Sequence, residues 1–148
     1  WQIYRDAIYS LYISTIANGK ICYKGLPIRC RHHPIHDHKH ASFWHIISEG
    51  KNEDDRLISP ERCERILWIS WAIDNSEGNE NVRIVIQRKG TETTHILWLH
   101  KENYIVVLSE RNGYYLLKTA YPIKSHKART LQSEWELQKT RAAFKAAP

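Results

Sequence analysis

Three groups of residues have the types and spacing that chemistry needs. The first is His40 and His45, with Lys39 directly before them and the apolar run ASFWHIIS around the second. Imidazole has an ordinary pKa close to neutral, so it can take and give protons. If residues 41–48 are helical, His40 falls just before the first turn and His45 about one turn in, facing the sheet or the cleft beside it. The competing reading makes His45, among Phe43, Trp44, Ile46 and Ile47, a hydrogen-bonded core residue. The second group is Thr119 and Tyr121 with Arg111 and Lys118. Two hydroxyls two residues apart on a strand point the same way and can hold one phosphate or position one ribose. A guanidinium fork matches phosphate oxygens in two places. Thr and Tyr are also ordinary strand residues, and Arg111 is equally well placed as a turn residue.

The third group is His32, His33, His36, His38 and His40. Spacings of two and four are compatible with one metal ion. No matched Cys pair accompanies them, so the segment reads as a solvated, partly protonated basic loop. We therefore expect neither a metal nor a cofactor. Arg31 in that loop and Arg65 further on join Lys39 and Lys118 as candidate substrate contacts.

The elements that must position these groups follow from periodicity. Ile3, Tyr4, Ala7, Ile8, Leu11, Tyr12, Thr15 and Ile16 form a helical stripe, closed by Asn18-Gly19, a pair suited to a left-handed cap. Residues 21–31 read as short extended pieces around a turn, because Gly25 and Pro27 interrupt them. Pro60 suits the first turn of a helix through the sixties, giving way to extended chain near Trp71. Four strands follow, at 82–86, 94–100, 104–108 and 114–121, joined by short links that favour an antiparallel meander. Arg111-Asn112-Gly113 marks the last hairpin. Strict alternation puts Tyr115, Leu117, Thr119 and Tyr121 on one face of the final strand. Residues 124–144 form a charged helix with a thin apolar line. The order defines an α+β fold, with helices packed on a four-stranded antiparallel sheet.

At 148 residues the chain is long enough for a core without staples. Its net charge of +6 favours an acidic partner, of which nucleic acid is the usual one. No apolar run is long enough to span a bilayer, so no membrane role is expected. Three Cys without a CxxC argue against a disulfide framework and for a reducing cytoplasm. We see no secretory signal, and the lack of Met suggests a trimmed or processed chain. Walker, dinucleotide, G-x-S-x-G and H-E-x-x-H motifs are absent. Trp44, Trp68, Trp71, Trp98 and the tyrosines offer rings for stacking bases, though most suit the core.

Three segments together resemble a known group. They are K-H-x-x-F-W-H-I-x-S-E-G at 39–50, E-R-x-x-R-I-x-W at 61–68, and Y-x-V-V-L-x-E-R-x-G-Y-Y-L-L-x-T-A-Y at 104–121. The pattern is similar to phage and prophage proteins of the BECR superfamily, which unites barnase, EndoU, colicin-type and RelE-like ribonucleases. The resemblance covers nearly the whole chain and implies a single nuclease domain over 1–148. It further implies RNA cleavage without metal, by attack of the substrate's own 2′-hydroxyl. Such a protein would be a phage toxin or host-takeover factor with a cognate antitoxin or immunity protein. His45 matches the helix-end histidine, and Thr119 and Tyr121 match the last-strand hydroxyl pair. Arg111 and Lys39 are looser matches for the cation. The barnase-type catalytic Glu has no clear counterpart, which leaves His40 as a candidate for the base role and an RNA-binding fold without catalysis as the alternative. A phage protein that binds a protein partner is the third class.

Overall fold

The computed structural model describes residues 1–146; the last two residues of the expected 1–148 domain lie outside the described residues. Helix α1 (Gln2–Tyr12) continues into a π-helical segment at Ile13–Ala17. Ile8, Tyr12 and Ile16 recur every four residues and are buried, as one helical stripe requires. The ending differs from the expected left-handed cap. Neither Asn18 nor Gly19 has a positive φ. Glycine is needed for a close approach, since a Cβ at position 19 would lie 2.5 Å from the Thr15 carbonyl oxygen.

The expected four-stranded antiparallel sheet is not what forms. The sheet is mixed and six-stranded, in the order β1-β2-β8-β7-β6-β5. Strands β5 (Val82–Lys89), β6 (Glu92–Leu99), β7 (Tyr104–Arg111) and β8 (Tyr114–Pro122) do pair in succession, all antiparallel. The addition is β2 (Leu26–Arg29), which runs parallel to β8 with Ile28 and Arg29 opposite Tyr115 and Leu116. The two-residue β1 (Cys22–Tyr23) then pairs with β2. Pieces this short carry no period, so the sequence shows extended chain but not its partner.

A second correction matters more for function. Val107 pairs with Thr119, but its neighbour Leu108 pairs with Leu117, so β8 holds one extra residue, Lys118. Such a bulge resets alternation. Tyr115 and Leu117 face one side of the sheet, while Thr119 and Tyr121 are carried to the other. Four residues expected to share a face are therefore divided.

The two faces are covered differently. On one, Leu97, Leu99, Val106, Leu108, Leu117 and Ala120 pack under α1, α2 (Ala41–Ile47) and α4 (Ile66–Asp74). On the other, Val85, Ile96, Trp98 and Ile105 meet Leu131 of α5 (Ser125–Ala146), with Ala128 and Trp135 beside it. Gln138 of α5 caps the edge strand, its amide accepting from the Ile86 N–H at 3.1 Å and donating to the Ile86 carbonyl at 3.3 Å. Residues 51–59, expected to be plain linker, include a 3₁₀ turn at Glu53–Asp55 held between β3 (Ser48–Glu49) and β4 (Leu57–Ile58). Helix α3 (Pro60–Glu64) follows with Ser59 as its cap, and helix persists through Trp71 rather than giving way to strand. Among the described residues, no helix is long and apolar enough to cross a membrane.

Candidate functional site

The face under α5 changes character along its strands. Near the helix it presents Val85, Ile96 and Ile105. Towards the hairpin turns the same alternating positions become Gln87 and Lys89 on β5, and Thr94 and Glu92 on β6. Apolar side chains give way to polar ones, and α5 reaches this end too, Glu134 accepting from the Gln87 amide at 2.9 Å. There a cavity of about 340 Å³ opens, lined by Gln87, Lys89, Glu92, Thr94, Lys118, Thr119, Tyr121, Lys127 and His45, with Ile96, Ile105 and Val107 as its apolar part. The bulge delivers Thr119 and Tyr121 to it, and α5 contributes Lys127. Helix α2 packs beside β8 and supplies the imidazole.

Three lysines and one histidine meet a single carboxylate in this cavity. Lys118 Nζ donates to Glu92 at 2.8 Å, and that bond is the largest cause holding the Glu92 carboxyl below its ordinary pKa. No ion pair among the described residues uses Lys89 or Lys127. Their charge is therefore available to an anionic ligand.

His45 is about one-third exposed, and its Nδ1 lies 3.3 Å from Glu53 Oε1. A carboxylate at Nδ1 favours the proton on that nitrogen and leaves Nε2 as an acceptor. Burial is the main reason its pKa falls below the ordinary value; the Arg56 and Arg62 charges add to this, and Glu53 opposes it. Burial thus favours the neutral ring, the state a proton acceptor needs.

Two arginines fix the end of α2, where carbonyls lack helical partners. Arg56 donates to the His45 carbonyl at 3.0 Å, to Gly50 at 2.8 Å and to Ser48. Arg62 donates to the Ser48 carbonyl at 2.6 Å. The Arg62 guanidinium also lies 4.9 Å from the centre of the Tyr121 ring. It thereby ties the helix that carries His45 to the strand that carries the hydroxyls.

Of the residues singled out from sequence, His45, Lys118, Thr119 and Tyr121 share this cavity. Arg31 lines a neighbouring one, together with His45 and Lys118. The others lie elsewhere. His40 accepts or donates at Nδ1 with the Tyr12 hydroxyl at 3.1 Å and stacks on His32 at 4.0 Å. Lys39 is buried against α1, 2.9 Å from Asp6 and over the Tyr9 ring. Arg65 bonds the Glu61 carbonyl and lies over Trp68. Arg111 bends onto Ser109 and the Glu110 carbonyl, reaching the cavity's rim only through Glu92 at 3.9 Å. Among the described residues, no three His, Cys, Asp or Glu are arranged to hold a metal ion.

Sequence reasoning missed Glu53, Arg56, Arg62, Lys89, Glu92 and Lys127. One signal was readable: Gln87 and Thr94 occupy positions that alternation makes inward, and polar residues there mark the end of the apolar face. It also missed His95 on the opposite face, buried between the Tyr23 hydroxyl at 2.8 Å and Glu110 at 2.6 Å. The Tyr23 bond ties β1 to β6 across the sheet, and the Glu110 bond joins β6 to β7. No family model matches the chain, and no curated protein or solved structure is similar enough to it to count as a match.

Proposed function

We propose that this chain is a metal-independent endoribonuclease, with the cavity between α2, β8 and α5 as its active site. One observation carries the reading: a neutral-leaning imidazole, a pair of hydroxyls and three lysines line the same open cavity. His45 Nε2 takes the proton of a ribose 2′-hydroxyl. The freed oxygen forms a bond to the adjacent phosphorus as the bond from phosphorus to the 5′-oxygen breaks. Tyr121 gives that leaving oxygen its proton, and Thr119 orients the phosphate. Lys118, Lys89 and Lys127 balance the charge on the phosphorane. The products are a 2′,3′-cyclic phosphate and a 5′-hydroxyl.

His40, Lys39 and Arg111 leave this scheme because their side chains are engaged elsewhere. The BECR resemblance implies the same chemistry, and His45, Thr119 and Tyr121 lining one cavity supports that reading. The extra strands are then additions around the meander. A phage toxin countered by an antitoxin or immunity protein in a bacterial cytoplasm is the setting that resemblance supports.

The test is total RNA incubated with the protein and EDTA, with cleavage ends analysed for cyclic phosphate. A positioned base contributes roughly 10²–10⁴-fold, so His45→Ala should lose that much cleavage while RNA binding persists. Parent-rate cutting by the variant would remove His45 from the mechanism. Salt-sensitive RNA binding by the parent without any cleavage would instead define a nucleic-acid-binding module.

A further inference from the structure

A second, larger cavity of about 610 Å³ adjoins the first and shares His45 and Lys118 with it. Its lining has a different chemistry. Trp44, Pro34, His36, Leu116 and Leu117 give it flat and apolar walls, and Glu53 and Asp54 add two carboxylates. Trp44 is fixed in place: its indole N–H donates to the His36 carbonyl at 2.8 Å, and the His36 ring meets it edge-on at 5.4 Å. A wall of this kind suits an uncharged planar group.

We propose that this second cavity is a nucleobase pocket that accepts bases bearing an exocyclic amine and disfavours uracil. The proposal rests on the first cavity being the phosphate site. The first cavity holds Lys89 and Lys127 besides Lys118, whereas here Glu53 and Asp54 offset Arg31 and Lys118, so a nucleotide placed across the shared His45–Lys118 wall turns its phosphate towards the lysines and its base towards Trp44. Arg31, at the same cavity and in no ion pair among the described residues, meets the next phosphate along the strand. The carboxylates then set the preference. They accept hydrogen bonds and give none. The amine of adenine, cytosine or guanine supplies the donor they need. Uracil offers one N–H between two carbonyls, whose lone pairs face a carboxylate unfavourably. Glu53 is already engaged with His45, which leaves exposed Asp54 as the residue that reads the base.

Binding of 3′-nucleoside monophosphates, followed by calorimetry or NMR, tests this without requiring cleavage. 3′-AMP, 3′-CMP and 3′-GMP are expected to bind about tenfold more tightly than 3′-UMP, the scale of one good polar pair to a base edge. Asp54→Asn replaces an acceptor-only group with one that also donates, so the preference should fall below about threefold. Trp44→Phe keeps a smaller stacking ring, and Trp44→Ala removes it; affinity for all four should fall in that order, by about tenfold for Ala. Equal binding of all four nucleotides, no measurable binding, or a preference untouched by Asp54→Asn would overturn the proposal. Cleavage of single-site oligonucleotides, run in parallel, separates the two readings. Cutting with no dependence on the base at any position removes the pocket and leaves the nuclease. Selective nucleotide binding with no cutting removes the nuclease chemistry and keeps the pocket.

Discussion

Arg62→Ala is the substitution that most directly tests how the site is assembled. The side chain donates to the Ser48 carbonyl at 2.6 Å, a charge-assisted bond of a kind worth about 1.5–3 kcal/mol, and at a longer 3.5 Å to the His45 carbonyl. Its stacking on Tyr121, at 4.9 Å, adds roughly 0.5–2 kcal/mol. Some of this is offset. Burial holds the Arg62 pKa below its ordinary value, and the neighbouring Arg56 charge lowers it further, so truncation also relieves desolvation and repulsion. The net expectation is a loss of about 2–3 kcal/mol, read as a lower urea midpoint at unchanged slope. The functional loss should be larger than stability alone explains. Arg62 is a positioning residue, and small displacement of a reacting group can lower rate by about 10²-fold. That loss should appear in kcat, under conditions where the variant is fully folded. Arg62→Lys keeps the charge but not the planar fork, so it should recover part of the stability and little of the rate. A double-mutant cycle with Tyr121→Leu should show coupling above about 0.5 kcal/mol. An alanine variant that unfolds at the parent midpoint and cuts at the parent rate would refute this account of the arginine clamp.

Glu53→Gln removes the group that raises the His45 pKa against burial and the two arginines; the acidic limb of the pH–rate profile should move to lower pH, and a move upward would contradict the assigned pairing. Stability should also depend on pH in one direction. His40, His45 and His95 all titrate below the ordinary value, burial being the largest cause in each. The folded chain therefore holds fewer protons than the unfolded one below about pH 6.5. This contribution is complete above that pH and is lost as pH falls through the depressed folded values. Urea midpoints between pH 8 and 4 should decline, and His95→Gln should flatten the decline; a rising midpoint would reverse the sign. Gly19→Ala places a Cβ against the Thr15 backbone at 2.5 Å and should cost about 1–3 kcal/mol. Gly113→Ala meets no atom within 4 Å but sits at φ +86, so its smaller cost, about 1 kcal/mol, should come from conformation alone. Unfolding curves that rank the two alike would undo that distinction.

Near-neighbour periodicity made much of the local structure legible, though not the helix end at Asn18-Gly19 or the helix that persists through Trp71. The stripe Ile8, Tyr12, Ile16 fixes a buried helical face. The run of β-branched and aromatic residues around Asn112-Gly113 fixes the last hairpin, with Arg111 pairing with Tyr114 across it. The basic balance of the chain, and the choice of His45, Thr119 and Tyr121 as residues to watch, also came from residue types alone. Charge was harder to read. Lys39 and Lys118 look alike as letters, yet one is buried against Asp6 and the other opens into the cavity.

Only the folded chain decided how those residues meet. The extra residue at Lys118 has no local signature, because a bulge is a mismatch between two strands and neither strand alone contains it. Without it Thr119 and Tyr121 would lie under the helices with Leu117. The parallel partner β2 arrives from some ninety residues away and covers only the start of β8. Arg56 and Arg62 act on carbonyls at the end of α2, whose need for donors is visible only once the helix stops there. Periodicity is set by the backbone within a few residues, and sequence records it. Register, edge partners and the side of a sheet a hydroxyl reaches are set by which distant surfaces bury one another, and these emerge only when the chain closes on itself.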